Sequence, residues 1–432
     1  MGGAEAIRRV AEIIHRSLPR QPVVIASAVA GVTNHLFRLS ELAAGGEDWR
    51  PEFDALRETH AGLLRELGVD EPSVDALLSE VDRLVSGVAL LKECSLRARD
   101  HLASFGERLS VRVLAAYLRK AGIPAQALDA FDAGLLTDGH FGCARPLADV
   151  DERIRSALSR VEGVPVITGY IGRDAAGNVT TLGRGGSDYS ASIFGAALGA
   201  EEIQIWTDVD GVMTADPNIV ASARFIKKMS FAEASELAFY GAKVLHPATM
   251  IPAVRKNIPI RVLNSYRPDF QGTTIVASLR PEERGVKSIA SKDRIAVVNI
   301  VAPPMIFQYG FLERIAKVFA RHEIVIDMIA TSEISVAMTT NPAANLEPVV
   351  AELAEFAEVT VNRDMSLVSV VGEELADRSD IAAKVFGVLA KLGVKIEMIS
   401  YGATRNNLAF VVRQDEVRRV VEALHRGLFE TA

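Results

Sequence analysis

The nine residues Thr181–Tyr189 read T-L-G-R-G-G-S-D-Y, and they follow an apolar run, Val164–Thr168, that is typical of a β-strand. The glycines let the backbone approach an anion closely, and a helix that begins near Ser187 would point unpaired N–H groups at the same anion. Arg184 adds a planar cation suited to a carboxylate or a phosphate. The stretch therefore predicts an anion-binding loop between a strand and a helix. A hairpin turn with a solvated Arg184 and a helix cap at Ser187 is the alternative interpretation.

Strand-like apolar runs alternate with helical segments on both sides of this loop, up to about residue 275. They include Val23–Ala28, Ile203–Thr207 and Ile260–Leu263, and residues 55–104 have the apolar spacing of helices. Such alternation is the signature of an α/β fold with a mostly parallel sheet. We therefore predict a three-layer α/β domain over residues 1–275.

Two further strand ends carry polar residues. Residues 27–34 read S-A-V-A-G-V-T-N, and residues 206–217 read W-T-D-V-D-G-V-M-T-A-D-P. Open α/β sheets bind ligands at the carboxyl ends of their strands, which makes both segments candidates for a binding site. The aspartates of the second segment suit a nucleotide's ribose and metal-bound phosphates. An ordinary capped helix start and an Asp-rich turn explain the same residues equally well.

The chain after residue 275 contains a strand–helix–strand–strand–helix unit twice, with a period near 70 residues. We predict two ferredoxin-like α+β domains, residues 293–363 and 364–432. Residues 276–292 are predicted to be a linker in which Val286–Ala290 supplies a strand to the second copy. The predicted elements are Ile295–Ile300, Gly310–His322, Val325–Ile329 and Ile334–Met338 in the first copy, and Leu367–Val371, Asp380–Leu392, Val394–Met398 and Asn407–Val411 in the second.

The composition favours small ligands over macromolecular partners. The 432 residues include 48 basic and 55 acidic side chains, a net charge of −7 that disfavours nucleic acid as a partner. No apolar run reaches the roughly 18 residues of a membrane span, so we expect no membrane partner. Two cysteines cannot form a disulfide framework, which favours a cytoplasmic protein.

Five motifs occur in the order in which the aspartate kinases have them. They are S-F-G-E at 104–107, G-R-G-G-S-D at 183–188, T-D-V-D-G at 207–211, G-A-K-V-L-H-P at 241–247 and the strand at 259–265. The chain thus resembles the aspartate kinases of the amino-acid kinase superfamily over essentially its whole length. Its C-terminal repeat resembles their tandem ACT regulatory domains, especially those of the lysine-sensitive homodimeric kind.

The resemblance implies an activity, cofactors and partners. The activity is ATP-dependent phosphorylation of the β-carboxylate of L-aspartate, the first step of lysine, threonine and methionine biosynthesis. The cofactors are ATP and Mg²⁺, and the partners are aspartate, an amino-acid effector at the ACT domains, and a second copy of the chain in a homodimer or larger homo-oligomer. Lysine is the first candidate for the effector, because an acidic pair in the first ACT copy suits a cationic side chain.

The resemblance also implies the roles of individual residues, whereas it assigns no metal ligand. Asp188, Arg184 and Ser27 would take part in catalysis, and Thr33, Glu107, Arg184 and Ser187 would bind the substrate. Thr207, Asp208, Met213 and Lys243 would face ATP, and Phe311, Leu312, Asp327, Ser332 and Glu333 would bind the effector.

The N-terminus departs from the family pattern. Aspartate kinases open with a strand that ends in Lys-Phe-Gly-Gly-Thr-Ser, whereas this chain begins with M-G-G-A-E, at the helix that follows that motif. We expect the DNA upstream of Met1 to encode the strand in frame, and the 432-residue chain to be nearly inactive or poorly soluble. The alternative is a catalytically impaired aspartate-kinase-like subunit that senses an amino acid. The retained Glu107, Arg184, Asp188 and Lys243 favour the enzyme.

Overall fold

The computed structural model of the chain describes residues 2–241, 245, 247–302, 309–341, 345–401 and 404–430. They form two units, Met1–Asp210 with Ala248–Thr274, and Gly211–Pro247 with Ile275–Ala432. Residues 211–247 thus group with the C-terminal part of the chain, whereas the boundary predicted near residue 275 leaves them in the first domain.

The elements are numbered in chain order. The helices are α1 Ala4–Ser17, α2 Val32–Gly45, α3 Arg50–Leu67, α4 Pro72–Leu91, α5 Leu96–Lys120, α6 Val150–Leu158, α7 Gly186–Leu198, α8 Phe231–Phe239, α9 Pro247–Lys256, α10 Phe311–Arg321, α11 Glu347–Ala354, α12 Ser379–Leu392 and α13 Val417–His425. The strands are β1 Val24–Ala26, β2 Ala125–Leu128, β3 Val164–Thr168, β4 Ile171–Arg173, β5 Val179–Thr181, β6 Ile203–Thr207, β7 Lys228–Ser230, β8 Ile260–Asn264, β9 Thr273–Val276, β10 Val286–Val301, β11 Ile326–Thr331, β12 Ser335–Thr340, β13 Glu358–Gly372, β14 Met398–Tyr401 and β15 Asn407–Arg413.

The first unit is built around short parallel strands. Strand β3 lies between β1 and β2 and pairs in parallel with both, and β6 pairs in parallel with β8. The predicted α/β class with a mostly parallel sheet is confirmed. Because β1 and β3 are parallel, their carboxyl ends lie at one edge of the sheet, directly before Ser27 and Gly169. Strands β4 and β5 form an antiparallel hairpin that leads into the loop before α7.

The helices of the first unit cover this sheet with apolar faces. Helix α5 has the largest number of buried residues, and it contributes Phe105, Leu109 and Leu114 to a core built from α1–α5 and the ends of β1 and β3. The helix begins at a capping serine: the backbone N–H of Ala98 donates to Oγ of Ser95 at 3.3 Å. The long α5 thereby becomes a fixed support for the polar residues that it carries.

The second unit contains a six-stranded antiparallel sheet in the order β11-β12-β10-β13-β15-β14. Strands β10 and β13 are long and pair along their length, so the sheets of the two predicted copies merge into one. Val286–Ala290, predicted to supply a strand to the second copy, pairs there with β13. The apolar helices α10 and α11 cover the first copy, and α12 and α13 cover the second.

None of the helices in the described ranges combines the length and apolar character that a membrane crossing requires.

Candidate active site

Helix α5 supplies the acidic side of the site because Gly106 has no side chain. A Cβ at Gly106 would lie 2.8 Å from the Cβ of Ala28, in the loop after β1. The close approach lets the backbone N–H of Ala28 donate to Oε1 of Glu107 at 3.2 Å. One turn further along α5, the hydroxyl of Ser110 donates to the carbonyl of Ser27 at 2.7 Å. Gly106 and Glu107 thus join α5 to the loop that carries Ser27.

Replacing Gly106 by alanine is expected to lower the free energy of unfolding by about 1–3 kcal/mol, because the added methyl group overpacks a closed contact. Urea unfolding monitored by circular dichroism measures the change. Gly87 is the matched control, since it also lies within a helix but a Cβ at Gly87 would meet no atom within 4 Å. Gly87→Ala should stabilise the protein by up to about 1 kcal/mol. Equal effects of the two substitutions would contradict the close contact.

Glu107 has a buried carboxyl group in which one of the two oxygens forms no hydrogen bond with the described residues. The residue is 3% exposed, and its Oε2 has no hydrogen-bond partner in the described chain. Burial disfavours the charged form and raises the pKa of Glu107 to about 7, against the opposing hydrogen bond from Ala28. A carboxylate in this setting gains strongly from a cation that enters the site.

The glycine-rich loop brings the basic side of the site from β5 to α7. Gly183 and Gly185 have φ angles of 77° and 72°, in the left-handed region that favours glycine. A Cβ at Gly186 would lie 2.5 Å from Cδ2 of Tyr170, so the first turn of α7 rests on the turn after β3. The first N–H groups of a helix have no carbonyl partner within it, which suits them to an anion. The sequence placed the start of this helix within one residue.

Arg184 and Asp188 differ in their surroundings. Arg184 is exposed and has no hydrogen bond or ion pair with any described residue. Asp188, in the first turn of α7, is half-buried, and desolvation by burial raises its pKa to about 6. The loop and the first turn of α7 therefore present an exposed cation and a carboxyl group that is partly protonated near neutral pH.

These elements surround one cavity of about 550 Å³. All six residues that the sequence assigned to the substrate or to catalysis line it. The predicted lining residues are Ser27, Thr33, Glu107, Arg184, Ser187 and Asp188, and those not predicted as site residues are Gly142, Tyr170, Gly183, Gly185 and Gly186. The cavity thus combines an unpaired guanidinium with a partly unpaired carboxylate, which suits a small molecule with a charge of each sign.

Tyr170 and Gly142 carry different signals in the sequence. Tyr170 follows Gly169 at the carboxyl end of β3 and has a φ of 67°, so it occupies a strand end of the kind that binds ligands. Its position could have been found from the rule that identified Ser27. Gly142 lies in an irregular segment, and nothing local in its sequence indicates a site.

The residues proposed to face ATP belong to different parts of the chain. Thr207 and Asp208 follow β6 in the first unit, where Oγ1 of Thr207 donates to Asp208 at 3.1 Å. The backbone N–H of Ser265 donates to the carbonyl of Thr207 at 2.8 Å and fixes that strand end. Met213 belongs to the second unit, where its carbonyl accepts a hydrogen bond from Ser288. Lys243 lies outside the described residues.

The residues proposed to bind the effector cluster at two places in the second unit. Phe311 and Leu312 begin α10, and Ser332 and Glu333 form the exposed turn between β11 and β12. Asp327, in β11, forms an ion pair of 2.6 Å with Lys292. Asp327, which was predicted to bind the cationic side chain of the effector, is therefore already paired with a cation of the chain itself.

The comparisons with known proteins cover the whole chain. The model of the amino acid kinase family matches residues 1–264, and a model of the ACT domain matches residues 368–428. Aspartokinase 3, chloroplastic, from Arabidopsis thaliana is 39% identical over 449 residues, which cover 100% of this chain and 80% of the relative. The chain belongs to the aspartokinases. Membership confirms the predicted order of a kinase domain and an ACT region, and it makes the chain an ATP-dependent aspartate kinase.

Solved structures of the family are similar over nearly the full length. The crystal structure of E. coli aspartokinase III in complex with aspartate and ADP (R-state) has a TM-score of 0.85 and 34% identity. The structure of E. coli aspartokinase III in complex with lysine and aspartate (T-state) has a TM-score of 0.79 and the same identity. Each comparison covers 99% of this chain and 97% of the other.

Proposed function

We propose that the cavity between α5 and α7 binds L-aspartate and that the γ-phosphoryl group of ATP is transferred there to the aspartate β-carboxylate. The observation that carries the proposal is the pairing of two unsatisfied charges in one small cavity, Oε2 of Glu107 and the guanidinium of Arg184. Aspartate carries an ammonium group on one carbon and its β-carboxylate on the next, and these two groups match the two charges. The complex of E. coli aspartokinase III with aspartate and ADP supports the assignment by similarity.

The roles of the lining residues follow from their chemistry. Glu107 would bind the substrate ammonium, and Arg184 would bind a substrate carboxylate through its planar fork. The hydroxyls of Ser27, Thr33 and Ser187 would contact aspartate and the transferred phosphoryl group. A carboxylate is already ionised at pH 7, so the reaction needs no general base, and catalysis rests on positioning and charge neutralisation.

Asp188 and the residues proposed to face ATP complete the assignment. Asp188 would take part in catalysis, while Thr207, Asp208, Met213 and Lys243 would contact the nucleotide. Mg²⁺ usually binds through substrate phosphates with one or two carboxylates. The described ranges contain no cluster of three acidic, histidine or cysteine side chains able to hold a metal ion, which suits an ion that arrives with ATP. Bound in this way, Mg²⁺ would neutralise charge on the phosphates.

The test of the proposed function is the formation of an acyl phosphate. The purified chain is incubated with ATP, magnesium and L-aspartate, and hydroxylamine converts any aspartyl phosphate into a coloured hydroxamate. We expect signal with aspartate and a much smaller signal with D-aspartate, because the ammonium and the carboxylate are held at fixed positions. Absence of product, together with absence of aspartate binding in calorimetry, would reject the proposal.

We also propose that an amino acid, with lysine as the first candidate, regulates the enzyme at the ACT region of a homodimer. Asp327 is the acid proposed to bind the side chain of the effector, which would compete for it with Lys292. The complex of E. coli aspartokinase III with lysine supports the choice of ligand by similarity. Ile329 of β11 and Ile399 of β14 are apolar side chains of this sheet that are 50% and 45% exposed, which suits a contact with a second copy.

Asp327→Asn is expected to weaken lysine binding at least about tenfold, since a charged hydrogen bond contributes roughly 1.5–3 kcal/mol. Isothermal titration with lysine measures the change. Glu313→Gln is the matched control, because Glu313 forms an exposed ion pair with Lys317 on α10 and should leave binding unaltered. If lysine, threonine and methionine all fail to bind the native chain at millimolar concentration, the proposed regulation is wrong.

A further inference from the structure

Asp100 is a buried acid on α5 that does not line the cavity. The residue is 5% exposed, and both of its carboxylate oxygens accept hydrogen bonds. Oδ2 accepts from the backbone N–H of Gly142 and from that of Thr181, each at 2.8 Å, and Oδ1 accepts from the hydroxyl of Thr181 at 2.9 Å. One side chain therefore joins α5 to two segments that are 42 and 81 residues away in sequence.

The two segments that Asp100 holds form one wall of the cavity. Thr181 is the last residue of β5, three residues before Arg184, and Gly142 itself lines the cavity. The segments also contact each other: the N–H of Ala144 donates to the carbonyl of Thr181 at 2.9 Å. A Cβ at Gly183 would lie only 3.0 Å from the carbonyl oxygen of Gly142. The position of the loop that carries Arg184 is thus tied to Asp100.

Neutral donors, rather than an ion pair, surround the Asp100 carboxylate in the described chain. Burial raises the pKa of Asp100, while the hydrogen bonds from Gly142 and Thr181 oppose the rise. The backbone N–H of Leu182, the residue after Thr181, donates to the carbonyl of Tyr170, another lining residue, at 2.8 Å. The network therefore extends from Asp100 to both the loop and the turn beneath α7.

Asp100 and Glu107 lie on the same face of α5. They are seven residues apart, which is close to two helical turns and about 10.5 Å along the axis. Glu107 contacts the cavity directly, whereas Asp100 fixes the segment that leads to Arg184. Helix α5 thereby sets the distance between Glu107, which would bind the substrate ammonium, and the loop of Arg184, which would bind a substrate carboxylate.

We infer that Asp100 is a positioning residue that sets the length of the substrate that the cavity accepts. The inference rests on the proposed binding of aspartate between Glu107 and Arg184. Glutamate has the same charged groups as aspartate but one more methylene between its ammonium and its side-chain carboxylate. A loop that holds Arg184 at a fixed distance from Glu107 therefore distinguishes the two when Arg184 binds the side-chain carboxylate. Release of the loop from α5 weakens aspartate binding and also reduces the preference for aspartate over glutamate.

The test compares Asp100→Ala, which removes all three hydrogen bonds, with Asp100→Asn, whose amide oxygen can still accept from both N–H groups. Calorimetry gives the dissociation constants of aspartate, glutamate and ATP, and thermal unfolding is recorded for each variant. Asp100→Ala should raise the aspartate constant at least tenfold, lower the ratio of glutamate to aspartate constants, and change the ATP constant less than twofold. Asp100→Asn should stay within about threefold of the native chain.

Two results overturn the inference: an aspartate constant and a selectivity ratio within twofold of native in Asp100→Ala, or equal losses in the alanine and asparagine variants. If Asp100→Ala does not fold, Thr181→Val carries the test, because it removes only the side-chain donor. A threefold rise in the aspartate constant with an unchanged ATP constant then supports the inference, and an unchanged aspartate constant overturns it. A native chain that binds no aspartate rejects the proposed function instead.

Discussion

Replacing Arg184 by alanine is expected to raise the dissociation constant of aspartate at least about 30-fold, since truncating one partner of a hydrogen-bonded charge pair costs about 2–5 kcal/mol. Arg184 has no partner in the described chain, so its whole hydrogen-bonding capacity is open to a ligand. Among the described residues the substitution breaks no hydrogen bond or ion pair, and the melting temperature of the free protein should stay unchanged. Calorimetry with aspartate and with ATP measures the effect, and the ATP constant should change little.

Two further variants test the geometry of this contact. Arg184→Lys keeps the charge and loses the planar fork, so its aspartate constant should fall between those of the native chain and the alanine variant. Arg160→Ala, which removes an exposed arginine outside the cavity, should have no effect on either ligand. An unchanged aspartate constant in Arg184→Ala would remove the residue from the substrate site.

The strands that lead into the proposed binding residues were the most predictable part of the fold. Val164–Thr168 and Ile203–Thr207 were predicted with their observed bounds, because each is an apolar run that ends at a polar loop. The strand predicted at Val394–Met398 was wrong in position, since the observed strand is Met398–Tyr401. Val394 and Ile396 instead pack against the apolar core of the second copy outside any strand. Their apolar spacing in the sequence is the same as that of a buried strand.

The merged sheet could not be predicted from local pattern. The sequence predicted two separate strands, Val286–Ala290 and Ile295–Ile300. Instead, β10 runs through both with a register shift near Arg294, which takes a φ of 55°. A bulge admits exposed charges within a continuous strand. Pairing along the partner strand β13 is a long-range property that a 16-residue window of sequence does not contain.

Within the site, the charged residues of the motifs were predictable, whereas the residues that hold them in position were not. Arg184 stands out because it lies among glycines between a strand and a helix, and Glu107 belongs to the S-F-G-E motif by which the chain resembles the aspartate kinases. Asp100 has no such context, and its three donors come from segments far away in the chain. Contacts of this kind depend on tertiary structure, so a single sequence does not indicate them.

The buried Glu107 links function to the stability of the free protein. Its pKa is raised by burial from 4.5 to about 7. A carboxyl group whose pKa is higher in the folded state contributes stability that is fully present below about pH 4.5 and is lost as the pH rises through about 7. At pH 8 the loss approaches about 3 kcal/mol, because each pKa unit corresponds to about 1.4 kcal/mol. A substrate ammonium that pairs with Oε2 of Glu107 would restore part of this lost stability.

Glu107→Gln is therefore expected to abolish aspartate binding and yet stabilise the ligand-free protein at pH 8, by about 1–3 kcal/mol, since a neutral amide removes the buried charge. At pH 4.5 the two proteins should unfold alike, because the native carboxyl group is then protonated. Thermal and urea unfolding at both pH values measure the difference, and added aspartate should raise the melting temperature of the native chain alone. Glu12→Gln, an exposed position on α1, should change neither stability nor binding. A glutamine variant less stable than the native chain at pH 8 would show that Glu107 is not an uncompensated buried charge, and the electrostatic basis of the ammonium site would fail with it.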